Sequence, residues 1–298
     1  MIEVKNLKQL SQKWKPVLRK KLRQAQELEQ ESDSKIAAYA LTLCRRHRVI
    51  VPQLDFCAHA GEVTVIVGPN GSGKSTLLAA LAGELPYQGH ISINGQNMAK
   101  LKPARLATMR AVLPQGSQLS FPFLVREVVA LGQMRGGRCA PLKNLPELAL
   151  ERVDLAGFGG RFYQELSGGE QARVQLARIL TQIWQPVYEG KPCWLLLDEP
   201  VAALDIQHQL IVMDIARNFA RDGGGVIAIL HDLNLATCYA DKMLLLDEGR
   251  IVAEGKAEEV LTTQNLKKIY HCDIQVGQLP PQGQPFILPQ SRENPSPL

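Results

Sequence analysis

No run of apolar residues in this 298-residue chain approaches the ~18–20 that a membrane-spanning helix needs. The opening Met1-Ile2-Glu3-Val4-Lys5 carries charge where a secretion signal would carry an apolar core. Both absences predict a protein that stays in the cytoplasm unless a partner holds it at a membrane. Cysteine is sparse and scattered, at 44, 57, 139, 193, 238 and 272, with no C-x-x-C pair and no histidine at ligand spacing. That excludes a disulfide framework and a Cys/His metal site. Cys57 and Cys193 fall in apolar, strand-like runs and read as small buried hydrophobes. A strong excess of one charge is also missing. The net charge of +5 is mild and mostly interspersed, so no nucleic-acid partner is expected.

What is present is a glycine-rich turn at one decisive place. Gly68-Pro69-Asn70-Gly71-Ser72-Gly73-Lys74-Ser75 fits G-x-x-x-x-G-K-[ST], a loop whose backbone N–H groups wrap the phosphates of a nucleotide. A β-branched run, residues 62–67, precedes it, and an apolar helical run starting at Thr76 follows. Strand, turn and helix together aim free N–H groups and a positive dipole end at one spot. A nucleoside triphosphate is therefore the expected ligand.

The wider pattern agrees with an α/β layer fold. Short apolar strands are predicted at 62–67, 193–197, 226–230 and 243–246, with helices at 75–82, 170–184, 207–221 and 233–239. Between about 117 and 166 the strand-like runs disappear, and helical stretches at 125–132 and 145–155 mark an inserted subdomain. Residues 8–35 carry a basic block before an acidic one, against the helix dipole, so only a marginal helix is expected there. The end of the chain, rich in Pro, Gln and Gly, reads as irregular.

Two further signals narrow the chemistry. Leu166-Ser167-Gly168-Gly169-Glu170-Gln171 opens a helix; a capping box accounts for Ser167 and Glu170 but not for two consecutive glycines, which let something approach closely. Trp194-Leu195-Leu196-Leu197-Asp198-Glu199-Pro200 is an apolar strand ending in two acids, placed to reach a phosphate-bound metal and a water.

In this order the motifs resemble those of ATP-binding cassette (ABC) subunits, over roughly residues 39–272. The resemblance implies a P-loop NTPase (RecA-like) core with a mostly parallel sheet, an antiparallel β part on the N-terminal side and an inserted helical subdomain. It implies that residues 68–76, Gly68 through Ser75 and Thr76, bind ATP and that Lys74 contacts its β- and γ-phosphates. Ser75, Gln115 and Asp198 would serve Mg²⁺. Glu199 matches the base that polarises the attacking water, and His231 the switch histidine on the γ-phosphate. Ser167, Gly168, Gly169 and Glu170 match the signature that covers ATP held by a second copy, and Asp205 the loop that crosses that homodimer interface.

Finer likenesses point to the ATPase subunits serving iron–siderophore, cobalamin and hemin uptake. They lie in His231-Asp232-Leu233-Asn234-Leu235-Ala236, in Tyr239-Ala240-Asp241, and from Glu259 through Tyr270. Within that group, Leu119 to Phe123, Trp184-Gln185-Pro186 and the 187–193 linker are similar to hemin import ATPases. The implied partners are two transmembrane permease subunits and, through the complex, a periplasmic hemin-binding protein, with the chain on the cytoplasmic face of a bacterial inner membrane. Phe121 and Phe123 either dock the permease or fill the subdomain's own core.

The chain departs from the family in three places. No aromatic stands where one would stack on adenine, leaving Arg45 or His47 for that task. Val201 and Ala202 replace a polar pair. Residues 1–38 form an extension or an insertion, because both Ile2 to Leu7 and Ala40 to Leu43 resemble a first strand. The cassette is accordingly expected to begin at Tyr39, and residues 273–298 to form the irregular tail.

Overall fold

The chain's architecture is given by a computed structural model that describes residues 34–45, 48–116, 119, 121–136, 144–279, 285 and 287–291. The expectations for the marginal helix, for His47 and for Cys139 lie outside those residues. A long hairpin comes first, β1 (Lys35–Arg45) pairing antiparallel with β2 (Arg48–His59). β3 (Val63–Val67) then runs into the phosphate loop, and α1 (Lys74–Leu81) leaves it. β4 (Gln88–Ile93) returns to pair with β1, and β5 (Gln96–Asn97) completes an antiparallel sheet in the order β2-β1-β4-β5.

After α2 (Pro103–Ala107) and β6 (Arg110–Leu113), the chain leaves the core for α3 (Val125–Gly136) and α4 (Leu145–Arg152). α5 (Gly168–Gln182) packs against both and leads back. A small ribbon, β7 (Val187–Tyr188) with β8 (Lys191–Pro192), precedes β9 (Trp194–Asp198). Then come α6 (Ile206–Arg221), β10 (Gly225–Ile229), α7 (Leu233–Tyr239) and β11 (Lys242–Asp247). β12 (Arg250–Gly255), α8 (Ala257–Val260) and α9 (Thr263–Tyr270) follow.

The main sheet has the order β12-β11-β3-β10-β9-β6, parallel throughout except for β12. Its strands are apolar on nearly every residue because both faces are covered. Alternation then divides the side chains between two cores. Val63, Val65, Leu195 and Leu197 join the core beneath the subdomain and α5 to α7. Ile66, Trp194 and Leu196 join the one shared with α1 and the antiparallel sheet. β3, β10, β9 and β6 lie side by side and point the same way, so their C-terminal ends open on one edge. In open parallel sheets that edge is where ligands gather.

Two expectations need correction. β1 starts at Lys35, and Ile36, Ala37 and Ala38 are fully buried in it. Paired with β2 on one side and β4 on the other, these three side chains are core, so the first strand begins ahead of Tyr39. Cys57 is only half-buried, with its Sγ 3.5 Å from His59 Nε2, because strand alternation puts it on the face opposite the buried Phe56 and Ala58; Cys193 is buried as expected.

Candidate functional site

The phosphate loop joins the end of β3 to α1. Gly73, in left-handed backbone (φ 103°), caps α1 with no side-chain hydrogen bond, which leaves the first N–H groups of the helix for an anion. At Gly68 a Cβ would lie 2.0 Å from the Leu246 carbonyl oxygen, so only glycine lets the loop close against β11. Pro69 is half-buried, Asn70 and Gly71 are exposed, and Thr76 is half-buried on the first turn of α1. The buried Ser72 Oγ has no protein partner. Lys74 Nζ donates to the Gly68 and Pro69 carbonyls, each at 2.9 Å. Burial holds its ammonium below the usual lysine range, against the opposing pull of Glu199 and Asp198.

Neighbouring strands bring the other side chains to this edge. From the end of β9, Asp198 Oδ1 accepts the Ser75 hydroxyl at 3.1 Å. Burial pushes the Asp198 carboxyl up, with the Glu199 charge adding to the effect, while the Ser75 bond, Lys74 and His231 oppose it. Glu199 stands in left-handed backbone (φ 53°) directly before Pro200, a conformation costly for a non-glycine residue. Its two carboxylate oxygens are held separately. Gln115 Nε2, beyond the end of β6, donates to Oε2 at 2.9 Å, and His231 Nε2, beyond the end of β10, lies 2.6 Å from Oε1. Glu199 is thereby fixed in a strained turn between Gln115 and His231.

The remaining candidates group elsewhere. Ser167 caps α5 by accepting from the Glu170 N–H, while Glu170 Oε2 accepts from the Ser167 N–H at 2.7 Å and its hydroxyl at 2.8 Å. Those bonds, the backbone one foremost, hold the Glu170 carboxyl below the usual range. Ser167 and Glu170 thus satisfy each other without turning toward the phosphate loop. A Cβ on Gly168 would meet open space, whereas on Gly169 it would lie 3.1 Å from the Ala203 carbonyl oxygen. The signature turn therefore packs along the segment that Asp205 ends, and Asp205 itself caps α6 by accepting from the His208 N–H at 2.9 Å.

Arg45 ends β1 opposite Arg48, and β2 adjoins the phosphate loop where Gly73 meets Ile50 and Val51. Val201 is buried in the core, which explains an apolar residue there. Tyr270, at the end of α9, approaches the Gly68 backbone, and burial pushes its hydroxyl's pKa up despite the opposing effect of that backbone. No local motif marks such an approach, because the two residues lie far apart in sequence. A cavity of about 810 Å³ opens away from this edge, between α4 and α6, lined by Arg152, Trp184 and Arg217 among others. Two of those guanidinium groups are already engaged, Arg152 over Trp184 and Arg217 over Tyr239, each 4.2 Å from the ring centroid. The parallel-strand edge therefore remains the candidate site.

Comparison with known proteins agrees with that geometry. The family described as ABC transporter matches residues 51–202. The chain is 55% identical over 261 residues to the hemin import ATP-binding protein HmuV of Bartonella henselae, covering 87% of this chain and 98% of that one. It is 58% identical over 246 residues to the protein of the same name from Mesorhizobium japonicum, covering 81% and 93%. Among solved structures, an ATP-binding cassette of an ABC transporter in its ADP conformation superimposes with a TM-score of 0.67 at 22% identity, covering 80% and 97%. An ATP-binding subunit of an ABC transporter gives 0.67 at 23%, covering 76% and 91%. The solved structures show the fold, and on the family match and the sequence relatives this chain belongs to the ABC transporter family, among its ATP-binding subunits.

Proposed function

We propose that this chain is the ATP-hydrolysing, energy-coupling subunit of a hemin importer, working as a head-to-tail homodimer on a membrane permease. The observation that carries the hemin reading is the 55–58% identity to hemin import ATP-binding proteins over nearly their whole length. In this reading residues 68–76 cradle the phosphates, and Lys74 turns from the loop carbonyls to the β- and γ-oxygens when ATP enters. Ser75, Asp198 and Gln115 offer hard oxygen donors, and Mg²⁺ needs few of these because it keeps waters and takes phosphate oxygens. The unpartnered Ser72 hydroxyl fits a loop shaped for such an anion. When bound, Mg²⁺ neutralises charge on the phosphates.

Glu199 orients the attacking water and takes its proton. Gln115 and His231 hold its carboxylate in place, and His231 also faces the γ-phosphate. The second copy supplies Ser167, Gly168, Gly169 and Glu170, with the open space at Gly168 as the entry for the opposing phosphate. ATP then closes the dimer and hydrolysis reopens it, with Asp205 at the seam. Phe121 is 71% exposed and Phe162 45%, while Phe123 packs on the core. The two exposed rings supply an apolar patch for one of two permease subunits on the cytoplasmic face of a bacterial inner membrane. No helix among the described residues is long and apolar enough to cross that membrane. A periplasmic hemin-binding protein would deliver cargo on the far side.

Because the cargo never meets this subunit, transport itself is the test. Vesicles holding the chain with its genomic neighbour permease should take up hemin on adding ATP and a hemin-binding protein. Uptake of an iron–siderophore or cobalamin instead, with hemin inert, would move the chain to a sister group.

A further inference from the structure

His208 joins two parts of the molecule that no role above connects. It lies in the first turn of α6, with Nδ1 2.8 Å from Oδ1 of Asp205, the residue capping that helix. Its Nε2 lies 3.5 Å from Oδ2 of Asp154, in the turn that follows α4 of the helical subdomain. Asp154 is in left-handed backbone (φ 58°), and Arg173 of α5 holds that turn by donating to the Val153 and Asp154 carbonyls at 3.0 and 2.7 Å. The Arg173 guanidinium is also 3.8 Å from the Asp154 carboxylate. The groups facing the imidazole are therefore Asp205 on its own element and Asp154 across the gap, with the Arg173 cation behind Asp154. Between these anchors the signature turn lies against the Ala203 carbonyl.

The imidazole presents a ring nitrogen to each carboxylate and so spans the gap between them. We propose that His208 is a positioning residue that ties the Asp154 turn of the subdomain to the Asp205 cap, holding the signature turn and the 203–205 segment in the register that the partner's ATP needs. The proposal rests on the reading that this face completes a site in trans. The Asp154 contact is the longer of the two and involves a side chain 60% exposed, so it is the weaker anchor.

Three full-length variants test it: His208→Asn, which can still reach Asp205 but not Asp154; Asp154→Asn; and the pair combined. ATPase rate, KM for ATP and thermal melting are read for each. Each single change is expected to lower kcat about threefold to tenfold, with KM and melting little changed, and the double variant to fall no further than the singles. Wild-type turnover in His208→Asn, or single effects that multiply in the double, would overturn the clamp. Should His208→Asn not fold, unchanged kcat in Asp154→Asn overturns it alone. Ser167→Arg run alongside separates the two readings. If it is dead while His208→Asn is normal, only the clamp fails; if it is fully active, the trans site fails and the clamp with it.

Discussion

At the scale of single residues, the site combines strain with buried charge. Glu199 occupies a backbone region that costs a non-glycine residue on the order of 1–3 kcal/mol, and its neighbour Asp198 is a half-buried carboxylate. A raised folded pKa means that the Asp198 contribution to stability is complete below its unfolded value near 3.8 and is lost as pH climbs through the raised one. At pH 7 to 8 the ionised group therefore opposes folding. Asp198→Asn, which keeps the shape without the charge, should melt a few degrees higher than the wild type in the absence of nucleotide and lose ATPase activity. A lower melting temperature at pH 7 to 8 would show that the Ser75 bond and Lys74 outweigh burial.

Lys74, Ser75, Asp198 and Glu199 were legible because glycine spacing and paired acids leave a local mark. Gln115 and His231 stood out only through motif order, since one glutamine or histidine after a strand is ordinary. Tyr270 and His208 left no mark at all, because each works through a contact across the fold.

At the scale of elements, the parallel strands and their helices were readable from apolar runs closed by glycine, proline and caps. The predicted helix at 233–239 coincides with α7, and 170–184 falls two residues from each end of α5. What escaped was the start of β1. Lys35 to Ala38 adjoin a charged stretch in sequence, and only pairing with β2 and β4 turns them into core. The joint between the two sheets was equally hidden. Asn94, buried in the turn between β4 and β5, accepts the Trp194 indole N–H at 2.9 Å and donates to the Pro192 carbonyl at 2.8 Å. Asn94→Ala would strand both groups in the interior and should cost about 2–4 kcal/mol in denaturant unfolding, since each orphaned polar group costs roughly 1–3 kcal/mol. A loss below about 0.5 kcal/mol would mean that water replaces both bonds and that the sheets are joined by apolar packing alone.

At the scale of the whole molecule, the site candidates fall into two groups on different elements. The strand edge carries the phosphate loop, Asp198 and Glu199; the signature turn is closed on itself by its own capping box and packs on the 203–205 segment. In the function proposed above, head-to-tail pairing of two copies would supply each nucleotide with both halves, and turnover would then require association. Such coupling cannot be read from local sequence pattern, which describes one chain at a time. Replacing Glu199 by Gln separates binding from chemistry, because the amide keeps the bonds' shape but cannot take a proton. The decisive measurement is ATP turnover beside solution mass for Glu199→Gln and the wild type. Hydrolysis should fall by at least about 100-fold, while ATP still binds and the variant accumulates as a dimer only when ATP and Mg²⁺ are present. Turnover near the wild-type rate, or a variant that stays monomeric with ATP bound, would contradict the account.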